Sequence, residues 1–286
     1  MWQPLWKPAL ALLVALGLFL LWWFSQRPSN NREWQSMTAM LPHVMFDGDI
    51  VRIENVRNAQ YRTCTECTVY YETRTYRLSD LQGVDALICF WGSQWMCHPM
   101  LVFDFGRDGR VCISVEVRYR VGQGYSFLRS LYRQQELIYL VCDERDAILR
   151  RTKYATGQDV YLYRLLFPVE ELPEFFFEYA ESINGLRETP RWYHGLTSNC
   201  TISVYTQRKN RAAWDWRLLV NGSLDRLFYE RGRLDQSLPF ETLKRQSWLN
   251  DIANKAPADR FGDSIRDDLS GYRYDAAYQP TNPKVG

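Results

Sequence analysis

The chain has 286 residues, of which 46% are hydrophobic, enough for one large domain or two small ones. Its formal charge is +2, with 35 basic residues scattered among 33 acidic ones. That mixture argues against a nucleic-acid-binding protein, in which Lys and Arg gather on one face, and leaves membranes and neutral substrates open.

The first element is apolar. Pro8 to Phe24 reads PALALLVALGLFLLWWF, seventeen residues without a charge. About 20 apolar residues cross a bilayer as a helix. Trp22 and Trp23 suit one membrane interface, Trp2 and Trp6 the other. A cleaved secretory signal is the alternative. The length, the bulky end and the poor cleavage site at Ser25-Gln26-Arg27-Pro28 favour an uncleaved anchor. Lys7 favours an inside amino terminus, and Arg27 and Arg32 oppose it. The short N-terminal tail and the large C-terminal part favour a signal anchor with the domain outside the cytoplasm.

Residues 25–36 contain RPSNN and read as a linker; YQPTNPKVG at the end reads as a disordered tail. The expected division is 1–33 for anchor and linker, 34–272 for the domain and 273–286 for a flexible tail. Strand patterns dominate the first half: DIVRIENV alternates, and VDALICFW is a nearly continuous apolar run, as in a central strand. PMLVFDF and RVCISVEVRY flank Arg107-Asp108-Gly109-Arg110, a hairpin signal, and ELIYLVC and DVYLYRLL add two strands. CDERDAILRR reads as a short, capped, charged helix, and VEELPEFFFEYAESINGL as an amphipathic helix ending near Gly185. Further helices are predicted over 200–209, 212–219 and 240–256. Strands followed by helices predict an α+β domain.

Seven cysteines leave an odd thiol outside the cytoplasm. Cys64 and Cys67 form a C-x-x-C with no second pair at zinc-ribbon spacing, so a local disulfide or two free thiols is expected. Cys89, Cys112 and Cys142 lie in apolar strand runs and read as core residues. Cys97 directly precedes His98, so on a strand the two point to opposite faces. Cys200 differs. Thr197, Ser198 and Asn199 are good N-caps, and CTISVYTQRK suits a following helix. Its thiol would then sit at the positive end of a helix dipole, which lowers a cysteine pKa from about 8.5. The chain holds three histidines: His43, His98 and His194. By chemistry alone His98 and His194 are equal partners for Cys200, because thiol and base usually meet through the fold.

A resemblance separates them. NVRNAQYRT, RTYRLSDLQGVDALICFWGSQWMCHPMLVFDF, ISVEVRYRVGQGYSFLRSLYRQQELIYLVCDERD and WYHGLTSNCT resemble the bacterial Lnb N-terminal periplasmic domain family, from about Asp49 to about Phe240. That family is similar to permuted NlpC/P60-like (papain-like) thiol enzymes, in which the histidine strand precedes the cysteine helix. The resemblance implies an antiparallel sheet with packed helices, His98 as base and Cys200 as nucleophile. It leaves His194 as an exposed loop residue.

The imidazole needs a group to orient it, and Ser114 and Glu116 on the next strand are candidates. If residues 107–109 form a three-residue loop, Gly106 pairs with Arg110, His98 opposes Arg118, and Ser114 and Glu116 share its face. A two-residue turn would put them on the other face. Glu116 is preferred because it accepts an imidazole N–H; a surface ion pair with an arginine is the alternative. Asn199 reads as a helix cap, with a second reading as an oxyanion donor beside the Cys200 N–H. Tyr125 and Arg118 are candidates for the entrance of the site, against the alternative of a solvated face. The sequons at Asn199 and Asn221 read as chance.

The resemblance implies a bacterial inner-membrane protein, single-pass with a periplasmic domain, that N-acylates lipoproteins through a cysteine thioester. Its partners would be membrane lipid and lipoprotein; no cofactor and no metal are implied. Full-length acyltransferases of the family carry more membrane segments than the one found here, which keeps other activities on the same fold open. These are a thiol hydrolase (cell-wall amidase, peptidase or lipid esterase) and a non-enzymatic membrane-tethered binding module.

Overall fold

The computed structural model describes residues 6–63, 66–92, 95–195, 215–218 and 221–273, without the side chain of Phe127. Helix α1 (Trp6–Ser25) buries none of its side chains and is long and apolar enough to cross a membrane. The polar stretch after it is tied to the domain. Asn30 Nδ2 donates to the Leu186 and Arg187 carbonyls at 2.9 and 3.0 Å, and Trp34 forms a bridge with Arg120.

The rest is α+β, as the strand and helix patterns predict. Eight strands form one sheet: β1 (His43–Asp47), β2 (Ile50–Tyr61), β3 (Cys67–Arg77), β4 (Gly83–Trp91), β5 (Cys97–Asp104), β6 (Arg110–Arg118), β7 (Glu136–Asp143) and β8 (Gln158–Arg164). The order is β1-β2-β7-β6-β5-β4-β8, and β3 pairs with β2. The sheet is not wholly antiparallel: β2 meets β7 in parallel at Arg57 and Cys142. Strands β1 and β3 escaped the sequence reading. β1 is five residues long, and β3 lies on the outside of β2 with mostly half-exposed or exposed residues, so neither carries the apolar run of a central strand.

Period-two patterning on central strands puts two cores on the two faces. On one face α4 (Leu172–Glu188) lays Phe175, Phe176, Tyr179, Ile183 and Leu186 over Ile88, Leu101, Phe103 and Tyr139. The 3.6-residue period makes one stripe of these side chains. Gly185 lies near the end of this helix, as expected, and Thr189 N–H reaches back to its carbonyl at 2.8 Å. On the other face α3 (Glu144–Leu149), α7 (Asn250–Lys255) and α8 (Phe261–Asp268) cover Leu87, Cys89, Met100, Cys112 and Leu162. Asp143 caps α3 through the N–H groups of Arg145 and Asp146. The helix predicted over 240–256 is two helices, α6 (Phe240–Gln246) and α7. Between them the chain joins the edge of β8: Leu162 N–H donates to Ser247 O and Leu249 N–H to Val160 O, at 3.1 and 2.8 Å. Edge pairing with β8 therefore replaces a helical turn there. Helices α2 (Phe127–Leu131) and α5 (Leu224–Glu230) complete the set among the described residues. The helix predicted over 200–209, the cap at Asn199 and Cys200 itself lie outside the described residues, as does Cys64.

Candidate active site

The β5–β6 hairpin decides what faces His98. Asp104 pairs with Arg110, and Phe105 N–H donates to Gly109 O at 2.9 Å, so the loop spans five residues, with Gly109 at φ 96°. The expected three-residue loop is thus corrected by two positions. A shift of two keeps side-chain parity, so Ser114 and Glu116 share the face of His98. It also carries the register, which pairs Met100 with Ser114, on to Glu116 opposite His98 rather than Arg118.

The side chains follow that register. His98 Nε2 lies 2.7 Å from Ser114 Oγ, and Ser114 Oγ donates to Glu116 Oε1 at 2.9 Å. His98 Nε2 and Glu116 Oε1 are 3.6 Å apart, too far for a direct hydrogen bond, so the serine hydroxyl is the link. A hydroxyl has one proton, and an ionised carboxylate only accepts. Ser114 therefore accepts from Nε2–H, and the network assigns the proton of neutral His98 to Nε2 and the basic lone pair to Nδ1.

Glu116 is held ionised. Burial pushes its carboxyl upward, but the His98 imidazole and the guanidiniums of Arg151 and Arg150 outweigh that and bring it well below the usual carboxylate range. Arg151 Nη2 reaches Glu116 Oε1 at 3.1 Å, and its Nη1 donates to Ala147 O at 2.9 Å. Residues 150–154 wind as a single wide turn after α3, which places both arginines at the sheet end.

The Trp91 indole stacks on the His98 imidazole, with centroids 5.8 Å apart and planes at 17°. Parity explains the approach: Cys89 opposes His98, and Trp91 follows on the same face. Cys89 itself is buried, which pushes its thiol up to about 11, and it donates to Gln158 Oε1 at 3.0 Å. It is a core thiol, as is Cys97, which faces the other core and contacts Asn221 O at 3.0 Å. The Asn221 side chain makes a two-way pair with the Cys97 backbone, accepting from its N–H at 2.8 Å and donating to its carbonyl at 2.6 Å. It pins the residue before His98 on the side away from β4, where the pairing with β6 has ended.

These groups border a cleft of about 380 Å³ lined by Trp91, His98, Glu116, Tyr119, Tyr125, Arg150, Arg151 and Tyr193. Tyr125 is where an entrance residue would be, half exposed at the lining. Arg118 is not. It is 3% exposed, and its guanidinium donates to the Thr38 and Ala39 carbonyls and to Asn30 Oδ1 while stacking 4.2 Å from the Trp34 ring. Burial brings its pKa down to about 10, which still leaves it charged at neutral pH. It braces the segment after α1. His194 is half-buried rather than exposed; the neighbouring Tyr193 N–H donates to Gln135 O at 2.8 Å, docking the chain beside the start of β7. Trp91, Arg151 and Asn221 were missed from sequence. Alternation along VDALICFW could have found Trp91; nothing local marks the other two, which arrive from 53 and 123 residues after His98.

The site is thus a buried His–Ser–Glu relay at the end of an α+β sheet, open to a cleft. The model of the Lnb N-terminal periplasmic domain matches residues 68–221, more than half of the chain, and the chain belongs to that family. Every residue of the relay lies inside the match. Searches of curated proteins and of solved structures give no match. A periplasmic domain family and one apolar N-terminal helix fit a single-pass membrane protein with its domain in the periplasm.

Proposed function

We propose that the protein is an inner-membrane thiol acyltransferase that moves an acyl chain from a phospholipid to an amine, in the manner of lipoprotein N-acylation, on a permuted NlpC/P60-like fold. The observation that carries this reading is the His98–Ser114–Glu116 relay at the cleft. It holds an imidazole in one tautomer, with Nδ1 as its basic nitrogen. Membership of the family and the apolar α1 support a lipid substrate.

In the proposed reaction His98 Nδ1 takes the Cys200 thiol proton, and the thiolate attacks the ester carbonyl carbon. Backbone N–H groups, with Asn199 as a candidate, hold the oxyanion. Collapse breaks the ester C–O bond, and the alcohol leaves with the proton from His98. The amine then attacks the thioester; His98 takes an amine proton, the C–S bond breaks, and the thiolate is restored. Imidazolium forms twice, and Glu116, held ionised beside it by Arg151, stabilises that charge through Ser114. Water in place of the amine would make the same machinery a hydrolase.

The test joins labelling and product analysis. A chloroacetamide probe is expected to tag the full chain and to lose the tag in Cys200→Ala. Mass spectrometry of lipoprotein N-termini from a strain lacking the gene is then expected to show loss of N-acylation. Unchanged acylation with the tag retained points to hydrolysis instead. A Cys200 that stays unreactive in folded protein sinks both.

A further inference from the structure

The face around α2 is apolar and lies at the end of the anchor. Val121 and Leu128 are 64% and 66% exposed, and Tyr125 and Tyr132 are exposed beside them. Lone surface apolar residues need no explanation, but four within twelve residues make a patch that does.

Its position says what covers it. α1 has 20 residues, about 30 Å at 1.5 Å per residue, the thickness of a hydrocarbon core. Trp22 and Trp23 near its C-terminal end suit the interface. Tyr132 meets Trp23 edge to face at 6.4 Å, and Arg133 lies over the Trp23 ring at 4.8 Å. Arg133 adopts φ 56°, uncommon for a long side chain, in making this approach. The other end of the segment is held to the chain leaving α1: Val121 N–H donates to Glu33 O at 2.9 Å, and Gln35 Nε2 donates to Gln123 O at 2.6 Å. The segment is therefore tied at one end to Trp23 in the last turns of α1 and at the other to the chain that follows α1.

We propose that residues 121–132 form a second, interfacial contact with the phospholipid bilayer that α1 enters, seating Val121, Tyr125, Leu128 and Tyr132 at the boundary of headgroups and acyl chains. Tyr125 belongs to both the patch and the cleft lining, so the cleft of His98 opens at the lipid surface. The docking goes beyond the chemistry proposed above and does not depend on it.

The test uses the full chain in phosphatidylcholine–phosphatidylglycerol vesicles doped with a diazirine phospholipid. After photolysis, lipid adducts are mapped by mass spectrometry. Adducts on 121–132 are expected several-fold above those on Val169 and Phe177, comparably exposed apolar residues near α4. The double variant Val121→Glu, Leu128→Glu is expected to lower them several-fold, with α1 adducts and the thermal midpoint unchanged. Equal labelling of the two regions in the wild-type chain overturns the proposal. So do protein–protein cross-links through 121–132 in place of lipid adducts, which would assign the patch to a second copy.

Discussion

Two buried polar clusters occupy the same molecule and differ in one respect. In the first, Arg266 bonds Asp85, Glu144, Tyr272 and the Gly262 carbonyl, with the Arg266 and Asp85 side chains fully buried. Its groups are guanidinium, carboxylate and phenol, and although Glu144 and Gly262 border a cleft of about 410 Å³, no imidazole among the described residues faces it. In the second, His98, Ser114, Glu116 and Arg151 also form a bonded chain, and the group it presents to its cleft is an imidazole. Arginine locked against carboxylates marks a brace, whereas an imidazole at a cleft can exchange a proton near neutral pH and is available for chemistry. The difference teaches that burial and perturbed ionisation do not by themselves locate a site, since both clusters have them.

The comparison breaks if mutations in the two clusters cost the same thing. The largest effect is expected from His98→Ala. The proposed acyl transfer should fall about 10²–10⁴-fold, as for loss of a general base, while the thermal midpoint stays near that of the wild type. Next, Arg266→Met should destabilise by about 3–5 kcal/mol in chemical denaturation, because it leaves Asp85 and Glu144 buried with less compensation. Residual activity per folded molecule should be near normal. A stable, inactive Arg266→Met would overturn the assignment of that cluster as a brace.

Smaller effects sharpen the contrast. Glu116→Gln should slow turnover and cost about 1–3 kcal/mol of stability at pH 7, the range for a buried charged hydrogen bond. The sign of its pH dependence follows from the lowered carboxyl. Glu116 stabilises the fold above the unfolded carboxyl pKa of about 4.3, and that contribution is lost as pH falls through its lower folded value. The gap between wild type and Glu116→Gln, measured by urea unfolding, should therefore close below about pH 4. Asn221→Ala should have the smallest effect on stability, about 1 kcal/mol, since it frees two backbone groups at a strand end. A raised KM for any acyl donor would show that the clamp positions His98.

The strands that carry the relay were legible because both faces of the central sheet are buried and their apolar runs are long. Parity, together with the choice of a loop of odd length, put Ser114 and Glu116 with His98. The loop length was not legible, since Arg107-Asp108-Gly109 is compatible with several turns, and the two-residue error moved Arg118 opposite His98. In the structure Arg118 is turned to carbonyls of residues 38 and 39, partners no local pattern announces. Arg151 and Asn221 were invisible for the same reason: each meets the site through the fold. Cys200 was singled out by its caps and by family resemblance, and its placement lies outside the described residues.

The Asn221 clamp has a consequence for when the cleft comes into being. The strand that bears His98 is finished by a side chain 124 positions further along the chain. Contacts of such long range form late, because a large loop must close first. A chain crossing a membrane from its N-terminal end would deliver His98 well before Asn221. The relay would then stay unassembled during passage, and, on the function proposed above, the base would form only on the side where the lipid substrate lies.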